Sequence, residues 1–267
     1  MWRFKRIYRK LLALVPNIYD IFYRLAGKNG AGVLLNKIFS RLNYDPMKLI
    51  FQKYRPNIIV CTHPFPEGAA ALLKKRGEKF ILAAVLTDFS LHNIWIYPQV
   101  DFYYTASEEM AAGLVAQGFA KEKVFPFGIP VAKKNFEGLP PPQTARKRLG
   151  LDGGRKTALI MGGGLGLGGI MDTMEELEKI EKPINIMVVA GKNQKLLARA
   201  QEFQKRSLHR VLVYGYTDKI PLMMRAASLL ITKPGALTMS EAFVLGIPML
   251  LHEPIPGPEK ENALYAV

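Results

Sequence analysis

Cysteine is almost missing: Cys61 stands alone among 267 residues. That excludes a disulfide framework and a cysteine-built zinc site, and it fits a reducing compartment. No apolar run approaches the roughly 20 residues that span a bilayer, and no stretch has the basic head, apolar middle and small-residue end of a secretion signal. Acid is scarce as well, with 22 Asp and Glu against 37 Lys and Arg, for a formal net charge of +15. What is plentiful is apolar residue, at 49%, enough to build real cores in one large or two modest domains.

The positive charge is concentrated at one end. Residues 1–60 carry 12 Lys or Arg against two acids, Asp20 and Asp45, so ten of the fifteen excess charges lie there. On a helical wheel Phe4, Ile7, Tyr8, Leu11, Leu14 and Val15 fall within an arc of about 120°, with Arg3, Lys5, Arg6, Arg9 and Lys10 opposite, before Pro16 ends the pattern. A basic amphipathic helix with aromatics lies well on an anionic membrane, where each nearby cation contributes about 1 kcal/mol. A surface helix packed on its own domain gives the same pattern; the charge concentration favours the membrane. Nucleic acid is the other partner that basic stretches permit, but no helix-turn-helix, zinc-finger or RNA-binding signature accompanies this one. A soluble or peripheral protein is expected, cytoplasmic and held on the inner face of the cell membrane.

Strand-like and helix-like runs alternate along the rest. IIVCTH at 58–63, ILAAVLTDF at 81–89, FYYTAS at 102–107 and VFPFGI at 124–129 read as strands, with helices at 66–77 and 108–118 between them. The pattern predicts a parallel sheet covered on both faces. Three consecutive prolines mark 138–156 as a linker with a short helix, and a second alternation starts at TALIMGGG. The domains are therefore expected at 1–137 and 157–267. Both are doubly wound α/β units facing across a cleft, with ligands at the carboxyl ends of the strands.

Glycine marks the candidate site. MGGGLGLGGI at 161–170 follows a strand and precedes a helix, and bare backbone N–H groups beside a helix N-terminus make an anion site. Gly164, Gly166 and Gly169 match the dinucleotide spacing, yet the next strand ends in Ala190-Gly191-Lys192-Asn193, with no acid for a ribose diol. The acid comes later. Thr232-Lys233-Pro234-Gly235 closes a strand and opens a helix, and Glu241 on that helix can accept two hydroxyl hydrogen bonds.

The runs ITKPGALTMSEAFVLGIPMLLHEPIPGPEKEN and VLTDFSLHNIWIYPQVDFYYTAS, with MGGG, VVAGKN and FGIPV, resemble the monogalactosyldiacylglycerol synthases and processive diacylglycerol glucosyltransferases. These are relatives of the cell-wall N-acetylglucosaminyl transferases with the GT-B fold. The matches run in order from about residue 45 to the last residue. The resemblance implies an inverting glycosyltransferase that moves a hexose from UDP-glucose or UDP-galactose to diacylglycerol at the membrane surface, in glycolipid synthesis. It implies Gly162, Gly163 and Gly164 at the diphosphate, and Gly191 with Tyr214 to Tyr216 at the uracil pocket. Lys233, Pro234, Gly235 and Thr238 form the phosphate turn, Glu241 holds the ribose, and Glu259 and Asn262 position the diphosphate or sugar. Pro258 stands where the family has a glutamine that contacts the donor, which puts donor affinity or sugar choice in question. The family pattern also begins with a strand and a Gly-rich loop ending in histidine, the base or acceptor-side residue that the resemblance implies, and continues past the last turn, so the chain is expected to be shorter than the pattern at both ends.

Inversion needs a base for the acceptor hydroxyl and cationic or N–H groups for the departing UDP. Asp88, His63 and His92 sit at strand ends of the first domain; Asp88 fits the base, because burial at a strand end raises its pKa. The histidines suit structural or acceptor-positioning roles. The acids Asp172, Glu175, Glu176, Glu178 and Glu181 read as a solvated helix face, so no metal site and no cofactor is expected. Two other functions remain open at this stage: a UDP-N-acetylglucosamine transferase acting on a polyprenyl-linked cell-wall precursor, and a non-catalytic UDP-sugar-binding or membrane-binding relative.

Overall fold

The computed structural model describes residues 38, 40–162, 169–252, 254 and 258–267. The basic segment before Pro16, Gly163, Gly164 and Gly166, and the Pro256-Gly257 turn lie outside the described residues. The chain divides into two compact units, 1–130 with 256–267, and 131–255.

In the first unit, α1 (Tyr44–Tyr54), β1 (Ile58–Cys61), α2 (Pro64–Lys75), β2 (Ile81–Val85), β3 (Phe102–Tyr104), α3 (Glu108–Ala116) and β4 (Val124–Phe125) follow in order. The four strands are parallel and lie side by side in chain order. The helices form where the sequence signals them. His63 caps α2, Ser107 Oγ accepts from Met110 N–H at 3.3 Å to start α3, and Gly77 and Gly118 end them at positive φ. One face of the sheet, carrying Cys61, Leu82, Ala84, Tyr103 and Val124, is core.

The other face differs from the expected double cover. Register places Ile58 beside Ile81, Val60 beside Ala83, Val85 beside Tyr104 and Tyr104 beside Phe125. On that face Ile58, Val60 and Ile81 are 55%, 58% and 41% exposed. The physical reason is the winding. Strands that advance in one direction, joined by right-handed crossovers, send their connections to the same side of the sheet.

The second unit winds both ways. It contains α4 (Pro142–Arg148), β5 (Thr157–Met161), α5 (Ile170–Glu178), β6 (Asn185–Val189), α6 (Gln194–Arg206), β7 (Arg210–Tyr214), α7 (Ile220–Ala226), β8 (Leu229–Thr232), α8 (Ala236–Leu245) and β9 (Met249–Leu251). Its five parallel strands are ordered β7-β6-β5-β8-β9, so the winding reverses between β5 and β8. Both faces are therefore packed. Leu159, Met161, Met187 and Leu230 enter one core with Met223 and Met224 of α7; Ile160, Ile186, Val188 and Ile231 enter the other with Ile170, Met174 and Phe203.

The domain boundaries also differ from those read in the sequence. The 138–156 segment is built into the second unit: Ala145, Leu149 and Leu151 are core, and Arg146 donates to Ala226 O at 2.9 Å and Ser228 Oγ at 3.0 Å. The last helix, α9 (Pro258–Tyr265), groups with the first unit instead of the second, because Asn262 and Tyr265 pack on the loop after β2.

Candidate functional site

In the second unit the reversal of strand order gathers the candidate residues. Met161, Val189, Tyr214 and Thr232 are register partners across β5, β6, β7 and β8. At about 4.8 Å between strands, that row spans about 14 Å, and the chain leaves all four strands on the same edge. Gly162, Gly191, Gly215 and Lys233 emerge there together. At the reversal itself Thr232 Oγ1 donates to Met161 O at 2.9 Å, tying the two strand ends where a crevice opens.

Past that tie the chain enters α8. Pro234 is buried, Gly235 N–H donates to Lys233 O at 2.8 Å, and Gly235 is the N-cap without a side-chain hydrogen bond to the helix start. Gly235 has an ordinary φ of −74°, and a Cβ built on it meets no atom of the described residues within 4 Å. The glycine is thus not required by backbone conformation; its missing side chain leaves open space in front of the first N–H groups of the helix, where the dipole favours an anion. Thr238 and Glu241, three residues apart and both half-buried, share a helix face. Burial raises the Glu241 pKa.

The neighbouring loops meet on the far side of β6. Gly191 takes φ +59°, which a side chain rarely tolerates, and its carbonyl lies 3.7 Å from where a Cβ on Gly215 would stand. Tyr214 is half-buried, with its pKa raised by desolvation, while the exposed Tyr216 ring carries Lys192 Nζ at 5.3 Å from its centroid. Gly162, Gly191, Tyr214, Tyr216, Lys233, Pro234 and Gly235 therefore leave one edge of one sheet, and Thr238 and Glu241 lie on the helix that starts there.

The remaining candidates belong to the first unit. His63 follows β1, its Nδ1 accepting from Phe65 N–H at 3.3 Å, and partial desolvation lowers its pKa. His92 is buried, and its Nδ1 accepts from Ile94 N–H at 3.3 Å to cap a single 3-10 turn. In both rings the hydrogen bond occupies Nδ1 as an acceptor, which suits a neutral imidazole in a local structural role. Asp88 lies just past β2. Burial raises its pKa, the Asn262 side chain opposes that rise, and Glu261 and Glu259 add to it. The ends of β1 and β2 are joined by Thr87 Oγ1 donating to Thr62 O at 3.5 Å.

Glu259 opens α9 and Asn262 lies one turn on, buried against Asp88 and Phe89. Sequence reasoning missed two features. Thr232 is one, although a lone hydroxyl ending the apolar run LLIT is a readable signal. Glu67 is the other: it is fully buried in the first turn of α2, and neither carboxyl oxygen has a hydrogen-bond partner among the described residues. Nothing in PFPEGAAALL marks that glutamate as buried.

Comparison with known proteins shows the fold and the family. Solved structures of similar fold include MurG of Acinetobacter baumannii, at TM-score 0.61 and 16% identity over 85% of this chain and 61% of that one. A putative UDP-N-acetylglucosamine 2-epimerase of Listeria monocytogenes follows at TM-score 0.56, 16% identity, 85% of this chain and 68% of that one. The architecture is that of the GT-B glycosyltransferases. Residues 2–131 match the monogalactosyldiacylglycerol (MGDG) synthase family model and residues 157–265 the glycosyltransferase family 28 C-terminal domain. The processive diacylglycerol beta-glucosyltransferase of Bacillus cytotoxicus is 33% identical over 98% of this chain and 66% of its own length. That of Bacillus pumilus is 31% identical over 97% and 67%. The chain belongs to this family of MGDG synthases and processive diacylglycerol glucosyltransferases, and it spans about two thirds of the length of the curated relatives it matches.

Proposed function

We propose that the chain is an inverting glycosyltransferase that moves glucose from UDP-glucose to diacylglycerol on the inner face of the cell membrane. The observation that carries this reading is the edge between β5 and β8. There an uncapped helix N-terminus, the open space at Gly235 and the half-buried Glu241 suit a nucleoside diphosphate, in a chain one-third identical to processive diacylglycerol beta-glucosyltransferases. Glucose is preferred over galactose because the matched relatives are named for it.

In this reading Glu241 accepts the ribose hydroxyls, Tyr214, Tyr216 and Gly191 border the uracil, and Lys233 with the start of α8 holds the diphosphate. Gly162, Pro234 and Thr238 complete the donor contacts at this edge. The glycerol hydroxyl attacks the anomeric carbon as the bond to the diphosphate oxygen breaks. Asp88 takes the hydroxyl proton, and UDP leaves with its charge spread over the N–H groups and Lys233. No divalent ion or cofactor is needed, so EDTA leaves UDP affinity unchanged. The basic segment before Pro16 supplies attraction to anionic lipid, and sedimentation with phosphatidylserine vesicles is expected to weaken as salt rises.

Product analysis tests the reaction. With radiolabelled UDP-glucose and diacylglycerol in mixed vesicles, glucosyl-diacylglycerol is expected. Label transferred to a polyprenyl diphosphate-linked sugar, with diacylglycerol left untouched, overturns the acceptor assignment.

A further inference from the structure

Resting on that reading, we propose that Asn262 is a positioning residue for Asp88, its carboxamide holding the backbone and the carboxylate of the candidate base at the same time. Asn262 is 1% exposed and lies 174 residues from Asp88 in the chain, yet α9 brings it onto the loop after β2. Its Oδ1 accepts from Phe89 N–H at 2.8 Å, and its Nδ2 faces Asp88 Oδ1 at 3.5 Å. The orientation of the amide follows from chemistry. A backbone N–H can only donate, so the oxygen must face Phe89 and the NH2 group is left for the carboxylate. One turn along α9, the Tyr265 ring stacks on Phe89 with centroids 4.4 Å apart and planes 12° from parallel, so the loop is gripped on both sides of the peptide.

The carboxamide does both tasks because it carries an acceptor and a donor on one carbon. Aspartate would keep the acceptor for Phe89 but turn a second negative charge on Asp88; leucine would leave a buried N–H unpaired. Among the described residues the charged groups bearing on Asp88 are Glu261 and Glu259 of the same helix, both acidic, and burial also favours its neutral form. The Asn262 amide is the contact that favours the ionised form a base needs. Asn262 thus acts on the reaction through Asp88, where the family resemblance implies a donor contact.

Carboxyl carbon-13 shifts of labelled aspartate, followed against pH in the full chain, read this directly, with Asp88→Asn assigning the signal. In Asn262→Ala and Asn262→Asp the Asp88 midpoint is expected to rise by about half a pH unit or more, furthest in Asn262→Asp. Asn262→Asp retains the acceptor for Phe89, so it serves if the alanine variant fails to fold. The acid limb of kcat is expected to rise with the midpoint, while KM for UDP-glucose stays within about twofold. An unmoved midpoint in a folded variant, or a lower kcat with an unshifted pH profile, overturns the proposal. A midpoint that moves while the kcat profile ignores it removes Asp88 as the base and Asn262 as its positioning residue. Retained UDP binding would then leave the donor reading standing, whereas absence of turnover and of UDP binding in the unaltered chain defeats that reading itself.

Discussion

Glu67 shows how one residue can set a stability cost that its sequence context hides. Its carboxyl group is buried without a hydrogen-bond partner among the described residues, and burial pushes its pKa well above the ordinary value. The folded state therefore binds a proton that the unfolded chain releases, and stability falls as pH rises from the ordinary glutamate range toward the raised value. Replacing Glu67 with Met is expected to stabilise the protein at neutral pH by about 1–3 kcal/mol and to flatten that slope, read by chemical denaturation at several pH values. A variant no more stable than the parent at pH 7 contradicts the account. Asp88 carries the opposite functional consequence. If it is the base proposed above it must be ionised, so activity is expected to fall as pH drops through its raised pKa. The histidines of this unit could be seen in the sequence, but which nitrogen was occupied, and by which N–H, depended on local backbone geometry that spacing does not encode.

At the level of elements, the sequence made the strands and helices legible, since apolar runs ending at Gly77, Gly118 and Gly246 coincide with helix ends. It did not disclose direction of winding. A run such as IIVC is equally apolar whether one face or both are covered, and only the order β1-β2-β3-β4 reveals that Ile58 and Val60 face outward. The difference predicts a contrast on one sheet. Val60→Thr is expected to cost less than about 0.5 kcal/mol, and Leu82→Ala, in the fully buried face, about 2–5 kcal/mol, by urea unfolding. Comparable costs would mean the open face is covered in solution. In the second unit Gly235 separates folding from binding. Its φ and the described residues around it admit a methyl group, so Gly235→Ala should leave stability within about 0.5 kcal/mol while weakening UDP binding, because the methyl takes the place proposed for the anion.

For the whole molecule, the candidate donor residues were recoverable because turn chemistry is local: KPG, AGKN and the acid at 241 can be read within a dozen residues of each other or of a strand end. The partnership of Asp88 with Asn262 was not, since it joins positions 174 apart and places the last helix in the first unit. No described helix is long and apolar enough to cross a membrane, and contact with lipid through the positive charge concentrated near the start of the chain is part of the proposed function. The edge between β5 and β8 is proposed to bind UDP through the open turn at Gly235 and the carboxylate of Glu241. Calorimetric titration of the chain with UDP, beside Glu241→Ala, tests it most directly. Saturable binding weakened by about 10–100-fold in the variant is the predicted result, the loss of hydrogen bonds to a charged group. No binding by a chain that unfolds cooperatively, or equal affinity in the two proteins, would contradict it.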